Sequence, residues 1–133
     1  WLASKQPRKQ RKYKFNAPLH TKHKFLKANL SKELRKKHGK RNISLRKGDE
    51  VLVMRGSFKK RKSKIALIDL KKTRISLDNI QRTKKDGTKV NVWFVPSSLQ
   101  IQTLNLDDKK RIAILERSKS SSTKETKNAS VKS

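Results

Sequence analysis

Between Arg46 and Leu70 the chain writes two short strands around a cationic loop, and this stretch restricts the fold more than any other. Lys47-Gly48-Asp49 reads as a turn, because glycine tolerates positive φ and an aspartate can bond its own neighbouring backbone. Glu50 to Arg55 then alternates, with Val51 and Val53 on one face and Leu52 and Met54 on the other. Gly56-Ser57 breaks the strand, Lys59 to Lys64 forms a basic turn, and Ile65 to Leu70 makes the second strand. Two strands joined this way form one corner of a small barrel, with the loop aimed at an anion.

The downstream pattern repeats that grammar. Thr73 to Leu77 is a third strand, with Ile75 and Leu77 on one face, and Asn79 to Lys84 continues the sheet. Lys85-Asp86-Gly87-Thr88 signals a hairpin whose two turn residues both take positive φ. Lys89 to Val95 returns with Val90 and Val92 alternating, Pro96-Ser97-Ser98 interrupts, and Leu99 to Leu104 closes. Roughly five or six short strands at this spacing predict a mainly β fold, a small SH3-like barrel over residues 43–106. Its expected core is Val51, Val53, Ile65, Ile68, Ile75, Leu77, Val90, Val92 and Ile101.

Composition limits what surrounds the barrel. Lys and Arg number 38 against 10 acidic residues in 133, a formal net charge of +28, and hydrophobic residues are 32%. That is too lean for a packed core along the whole length, so one barrel of roughly 60 residues is expected, flanked by arms that cannot bury themselves. Self-repulsion at this charge calls for a polyanion, and nucleic acid fits better than a membrane surface, since no long helix pairs a basic face with an apolar one. Cysteine is absent, which excludes disulfides and thiolate metal sites. No apolar run approaches the ~20 residues that span a bilayer. The basic start lacks an apolar secretory region. A cytoplasmic protein bound to nucleic acid is expected.

Residues 1–42 read as a long basic N-terminal extension. Pro7 and Pro18 interrupt its early part, which keeps neither a helical nor a strand period, and basic residues interleave with Tyr13, Phe15 and Phe25. Such a tail suits folded RNA: cations meet phosphates and aromatic faces stack on unpaired bases. A short helix is expected over about 31–38, with Ser31 as cap, Glu33 at the positive end, Arg35 to His38 at the negative end and Gly39 as the stop. A C-terminal helix follows over 107–117, started by Asp107 and Asp108, with Ile112, Ile114 and Leu115 as an apolar patch. Residues 118–133 form a Ser/Lys-rich tail.

Gly48-Asp49, Val51, Val53, Arg55-Gly56, Phe58-Lys59, Lys64-Ile65 and Ile68-Asp69 together resemble the KOW motif shared by ribosomal proteins and transcription elongation factors. Lys60 and Ser63 stand where that motif's loop usually carries glycine, adding charge instead. The resemblance widens with F-N-A-P-L-H at Phe15 to His20 and L-S-K-E-L-R-K-K-H-G at Leu30 to Gly39. With Asp86-Gly87-Thr88, Pro96-Ser97 and Leu115-Glu116-Arg117, the chain resembles the archaeal and eukaryotic branch of the universal large-subunit ribosomal protein family numbered twenty-four. The resemblance implies a KOW barrel, large-subunit rRNA and neighbouring ribosomal proteins as partners, an assembly role, and a place beside the peptide exit tunnel with its ligands. No homo-oligomer is expected.

The candidate RNA contacts follow from clustering, since a lone exposed charge contributes little. In the extension they are Arg8, Lys9, Arg11, Lys12, Lys14, Lys22, Lys24, Arg35, Lys36, Lys37 and Arg41. In the barrel they are Arg46, Lys47, Arg55, Lys59, Lys60, Arg61, Lys62 and Lys64. Arginine can fork onto a phosphate or stack on a base, whereas lysine acts as a mobile point charge. His20 and His23 sit against phosphate or base edges in this reading, because structural zinc wants four nitrogen or sulfur ligands. The resemblance adds Phe15, Asn16, Pro18, Gly56 and Ser57 as backbone or stacking contacts. No nucleophile elbow or phosphate-binding glycine loop is present, and Asp69 and Asp78 are too isolated for acid–base work, so neither enzyme activity nor a cofactor is expected. The alternatives are a KOW-containing transcription elongation factor and a basic chromatin-packing protein.

Overall fold

In the computed structural model, which describes residues 3–117, the N-terminal stretch is more ordered than its sequence suggests. Helix α1 (Pro7–Asn16) and helix α2 (Leu19–Phe25) occupy the segment expected to lack a period. The two prolines start these helices rather than break them. Pro7 stands in the first turn of α1, where its missing N–H would have no partner in any case, and Pro18 is the N-cap of α2. None of α1 is buried, yet it is tied to α2 through an edge-on contact of Tyr13 with Phe25, ring centroids 6.4 Å apart.

Strand β1 (Lys27–Leu30) follows, a second departure from the expected arm. Four residues are too few to announce themselves, but K-A-N-L alternates, and Ala28 and Leu30 are buried. Helix α3 (Lys32–His38) then forms with the caps its sequence points to. The Ser31 hydroxyl accepts from the Leu34 N–H at 3.3 Å, and Gly39 turns the chain at φ 63. Strands β2 (Asn42–Ser44), β3 (Glu50–Val53), β4 (Lys62–Asp69), β5 (Arg74–Thr83) and β6 (Lys89–Phe94) come next, then a 3₁₀ turn at Pro96–Ser98 and β7 (Leu99–Thr103). Helix α4 covers residues 109–117. Among the described residues no helix is long and apolar enough to cross a membrane. The Ser/Lys-rich stretch of 118–133 lies outside the described residues.

The seven strands form one mixed sheet in the order β2-β1-β7-β3-β4-β5-β6. Strand β1 runs parallel to β7 and antiparallel to β2, and the remaining pairs are antiparallel. Bulges between Ile65 and Leu67 on β4 and between Ser76 and Gln81 on β5 bend the sheet, the second marked by Asn79 at φ 60. The core gathers Leu26, Leu30, Leu45, Val51, Val53, Ile65, Ile75, Leu77, Leu99 and Ile101, each nearly or fully excluded from water.

Several expected positions and boundaries shift. Ile68 and Val92 are partly buried against the core, and Val90 is only half-buried, because β6 is an edge strand with cover on one side. Phe94 is the residue of β6 that goes fully inside. Lys62, Ser63 and Lys64 belong to strand β4, paired with Leu52, Val51 and Glu50, so the loop proper ends at Arg61. At the hairpin, Gly87 has positive φ (83) and Asp86 does not, so a turn closed by Gly87 N–H to Lys84 O at 3.1 Å leads into a glycine in the left-handed region. The Asp86 carboxylate accepts from the Thr88 hydroxyl and N–H, which lowers its pKa. Helix α4 begins after Asp108, whose carboxylate caps the Lys110 N–H at 2.9 Å. Of its expected apolar patch, Leu115 is buried, while Ile112 is half-buried and Ile114 is exposed.

Candidate nucleic-acid interface

The β3–β4 loop is built on two left-handed residues. Val53 ends the strand, Gly56 turns at φ 91, and Lys60 turns at φ 70 with its N–H donating to Val53 O at 2.8 Å. Lysine thus occupies a conformation that favours glycine. Phe58 anchors the loop from beneath, meeting Phe94 edge-on at 6.1 Å, and the Arg61 guanidinium lies 5.3 Å from the Phe58 ring centroid. With its one aromatic turned inward, the loop leaves Arg55, Gly56, Ser57, Lys59, Lys60 and Arg61 exposed, and Lys62 and Lys64 at the start of β4 are exposed beside it.

The turn at the opposite end of β3 is fixed by a buried charge pair. Asp49 is fully buried, and Arg111 of α4 is 3% exposed. The two arginine nitrogens fork onto the carboxylate at 2.6 and 2.7 Å. The same carboxylate accepts from the Arg46 N–H and the Asn105 N–H, each at 2.9 Å. Arg111 also donates to Asn105 O at 2.7 Å and Ser44 O at 3.2 Å. Gly48 at φ 87 leaves room here, since a Cβ would stand 3.0 Å from the Asn105 side chain. The expectation that Asp49 bonds its own turn holds through Arg46. The role of Arg111 was not legible, because 62 residues separate it from Asp49.

The extension's candidates sit on three helices. Arg8, Lys9, Arg11, Lys12, Lys14, Phe15 and Asn16 are exposed on α1, with Phe15 80% exposed. Pro18, His20 and Lys24 are exposed at α2, and Lys22 and His23 are half-buried there. On and after α3, Lys36, Lys37 and Arg41 are exposed and Arg35 is half-buried. The Lys22 ammonium lies 5.9 Å from the Phe15 ring centroid, and Lys14 stands at the same distance from Phe25.

Two clefts stand out among those in which extension and sheet meet. One, of ≈ 400 Å³, joins His23 to Arg46 and Lys47. Burial, and then the Arg46 charge, lowers the His23 pKa below its usual 6.5. Arg46 itself is drawn to Asp108 at 3.1 Å. The other, of ≈ 450 Å³, joins Arg11, Lys14 and Phe15 to Lys71, Lys72 and Arg74. Those last three cations are not among the sequence candidates. Their signal was a Lys-Lys turn between two strands, which the alternation around it obscured.

A family model described as the ribosomal proteins L26 of eukaryotes and their archaeal counterparts matches residues 4–118. The chain belongs to this family. Its relatives include a large ribosomal subunit protein uL24 of Methanosarcina barkeri (strain Fusaro / DSM 804), 42% identical over 116 residues, which span 87% of this chain and all of the relative. For this ribosomal family, a structural and non-enzymatic kind of protein, RNA binding is typical. The match does not favour the elongation-factor alternative.

Proposed function

We propose that this chain is a structural constituent of the large ribosomal subunit, in translation, that binds large-subunit rRNA through its N-terminal cations and its β3–β4 loop. Membership of the ribosomal family over residues 4–118 carries the reading. The geometry supports it: the cations of α1 and of the loop face water, while the charge that fixes the fold is withdrawn into the Asp49–Arg111 pair.

In this reading residues 1–42 are the RNA-binding extension, although 27–30 also pair in the sheet. Residues 43–106 are a KOW-type SH3-like barrel, and residues 107–117 clamp it. The mechanism is electrostatic. Exposed cations neutralise phosphates of adjoining rRNA helices and hold a junction together during assembly. A-form RNA hides its base edges in a deep groove, so recognition goes by shape and by unpaired nucleotides. The protein acts in the cytoplasm, on the ribosome beside the peptide exit tunnel, among neighbouring ribosomal proteins and near the tunnel's ligands.

Sedimentation of a cell extract tests this. The protein should travel with the large subunit and be displaced by the matching rRNA at lower concentration than by duplex DNA of equal phosphate content. Migration with RNA polymerase, or equal displacement by DNA, would overturn the reading.

A further inference from the structure

One face of the β4–β5–β6 sheet turns away from the core and remains partly uncovered. The register sets Leu67 beside Ser76, and Ser76 beside Trp93, in one row across the three strands. Leu67 is 49% and Trp93 46% exposed, whereas Ser76 between them is fully buried, its hydroxyl without a hydrogen-bond partner. Val95, two residues beyond Trp93, is also exposed and continues the apolar strip. At Val95 the strip runs into the cleft whose walls are Arg11, Lys14 and Phe15 of α1 and Lys71, Lys72 and Arg74 of the β4–β5 turn and β5. Asp69, beside this turn, is engaged locally, its carboxylate accepting from the Lys72 N–H at 3.1 Å.

An apolar strip that carries an exposed tryptophan and leads through Val95 to Phe15 and a wall of cations suits a polyanion that also carries flat apolar faces. A basic protein segment would be repelled, and paired RNA offers phosphates but no free base face. We propose that this face and cleft bind an unpaired RNA segment, with one base stacked on Trp93, another against Phe15, and the phosphates on Lys71, Lys72 and Arg74. The inference rests on the rRNA-binding reading and deepens it by naming where unpaired nucleotides sit.

The chain has two tryptophans, so Trp1→Phe makes Trp93 the single reporter. A large-subunit rRNA transcript should quench Trp93 on binding, and a fully paired RNA of equal phosphate content should not. Trp93→Ala and Phe15→Ala should each weaken transcript binding roughly ten-fold or more at unchanged salt slope, with Trp93→Phe restoring most of it. Lys71→Gln with Lys72→Gln should instead flatten the slope by about 0.7 per lost phosphate. Normal transcript binding with Trp93 unquenched and all variants unaltered would overturn this inference alone. So would a ribosomal protein shielding Trp93 where RNA does not. A wild-type chain that does not bind the transcript would sink the rRNA reading as well.

Discussion

Arg111 ties separate parts of the fold together with one side chain. It joins α4 to the turn before β3 and to the end of β2 through one buried fork. Arg111→Ala would leave the buried Asp49 carboxyl without its ionic partner, a loss of about 3–5 kcal/mol. Urea unfolding should show a large fall in midpoint, and Arg111→Lys should not rescue it, because an ammonium cannot fork. Lys60 makes the opposite case. It holds φ 70, so Lys60→Gly should stabilise the free protein by about 0.5–1 kcal/mol while removing a loop cation. Stability up and RNA affinity down in one variant would separate geometry from charge. His23 supplies a pH dependence. Its folded pKa lies below 6.5, so the unfolded chain takes up a proton first, and stability falls as pH drops through 6.5 toward the lowered value. A phosphate beside it would reverse the shift, so rRNA binding should tighten on going from pH 7.5 to 6, with the His23 proton resonances titrating higher in the complex. Unchanged resonances would remove His23 from the interface.

The elements divide by how locally they are encoded. Helix α3 was legible because Ser31 and Gly39 mark both ends within one short window. Strands β3, β4 and β5 were legible from alternation and turn glycines. Strand β1 was not, since its pairing with β7 joins Asn29 to Gln100 across most of the chain. Helices α1 and α2 escaped the sequence reading because a proline that starts a helix looks, in sequence, like one that breaks it. The candidate site was legible as charge but not as shape: Lys71, Lys72 and Arg74 join Arg11 and Lys14 only once α1 lies against the β4–β5 turn. Two substitutions separate the parts of the extension. Leu30→Ala should cost about 2–5 kcal/mol, because Leu30 is fully buried in the sheet's core. Phe15→Ala should stay within about 0.5 kcal/mol on the free protein, because that ring is exposed. Equal losses at both positions would mean that α1 is bound into the core as firmly as β1.

At the scale of the whole molecule, a small sheet holds its acid–base lock inside and its surplus cations outside. A net charge of +28 destabilises the free chain by self-repulsion and favours any complex that neutralises it. That trade is the physical content of the rRNA reading, and it is counted by salt. Plotted as log affinity against log salt, binding to large-subunit rRNA should fall with a slope of roughly −0.7 to −0.9 per neutralised phosphate. Changing Lys59, Lys60 and Arg61 together to glutamine should make that slope shallower while leaving the fold intact. A slope near zero for the wild-type protein, or equal affinity for unstructured RNA, would contradict the account.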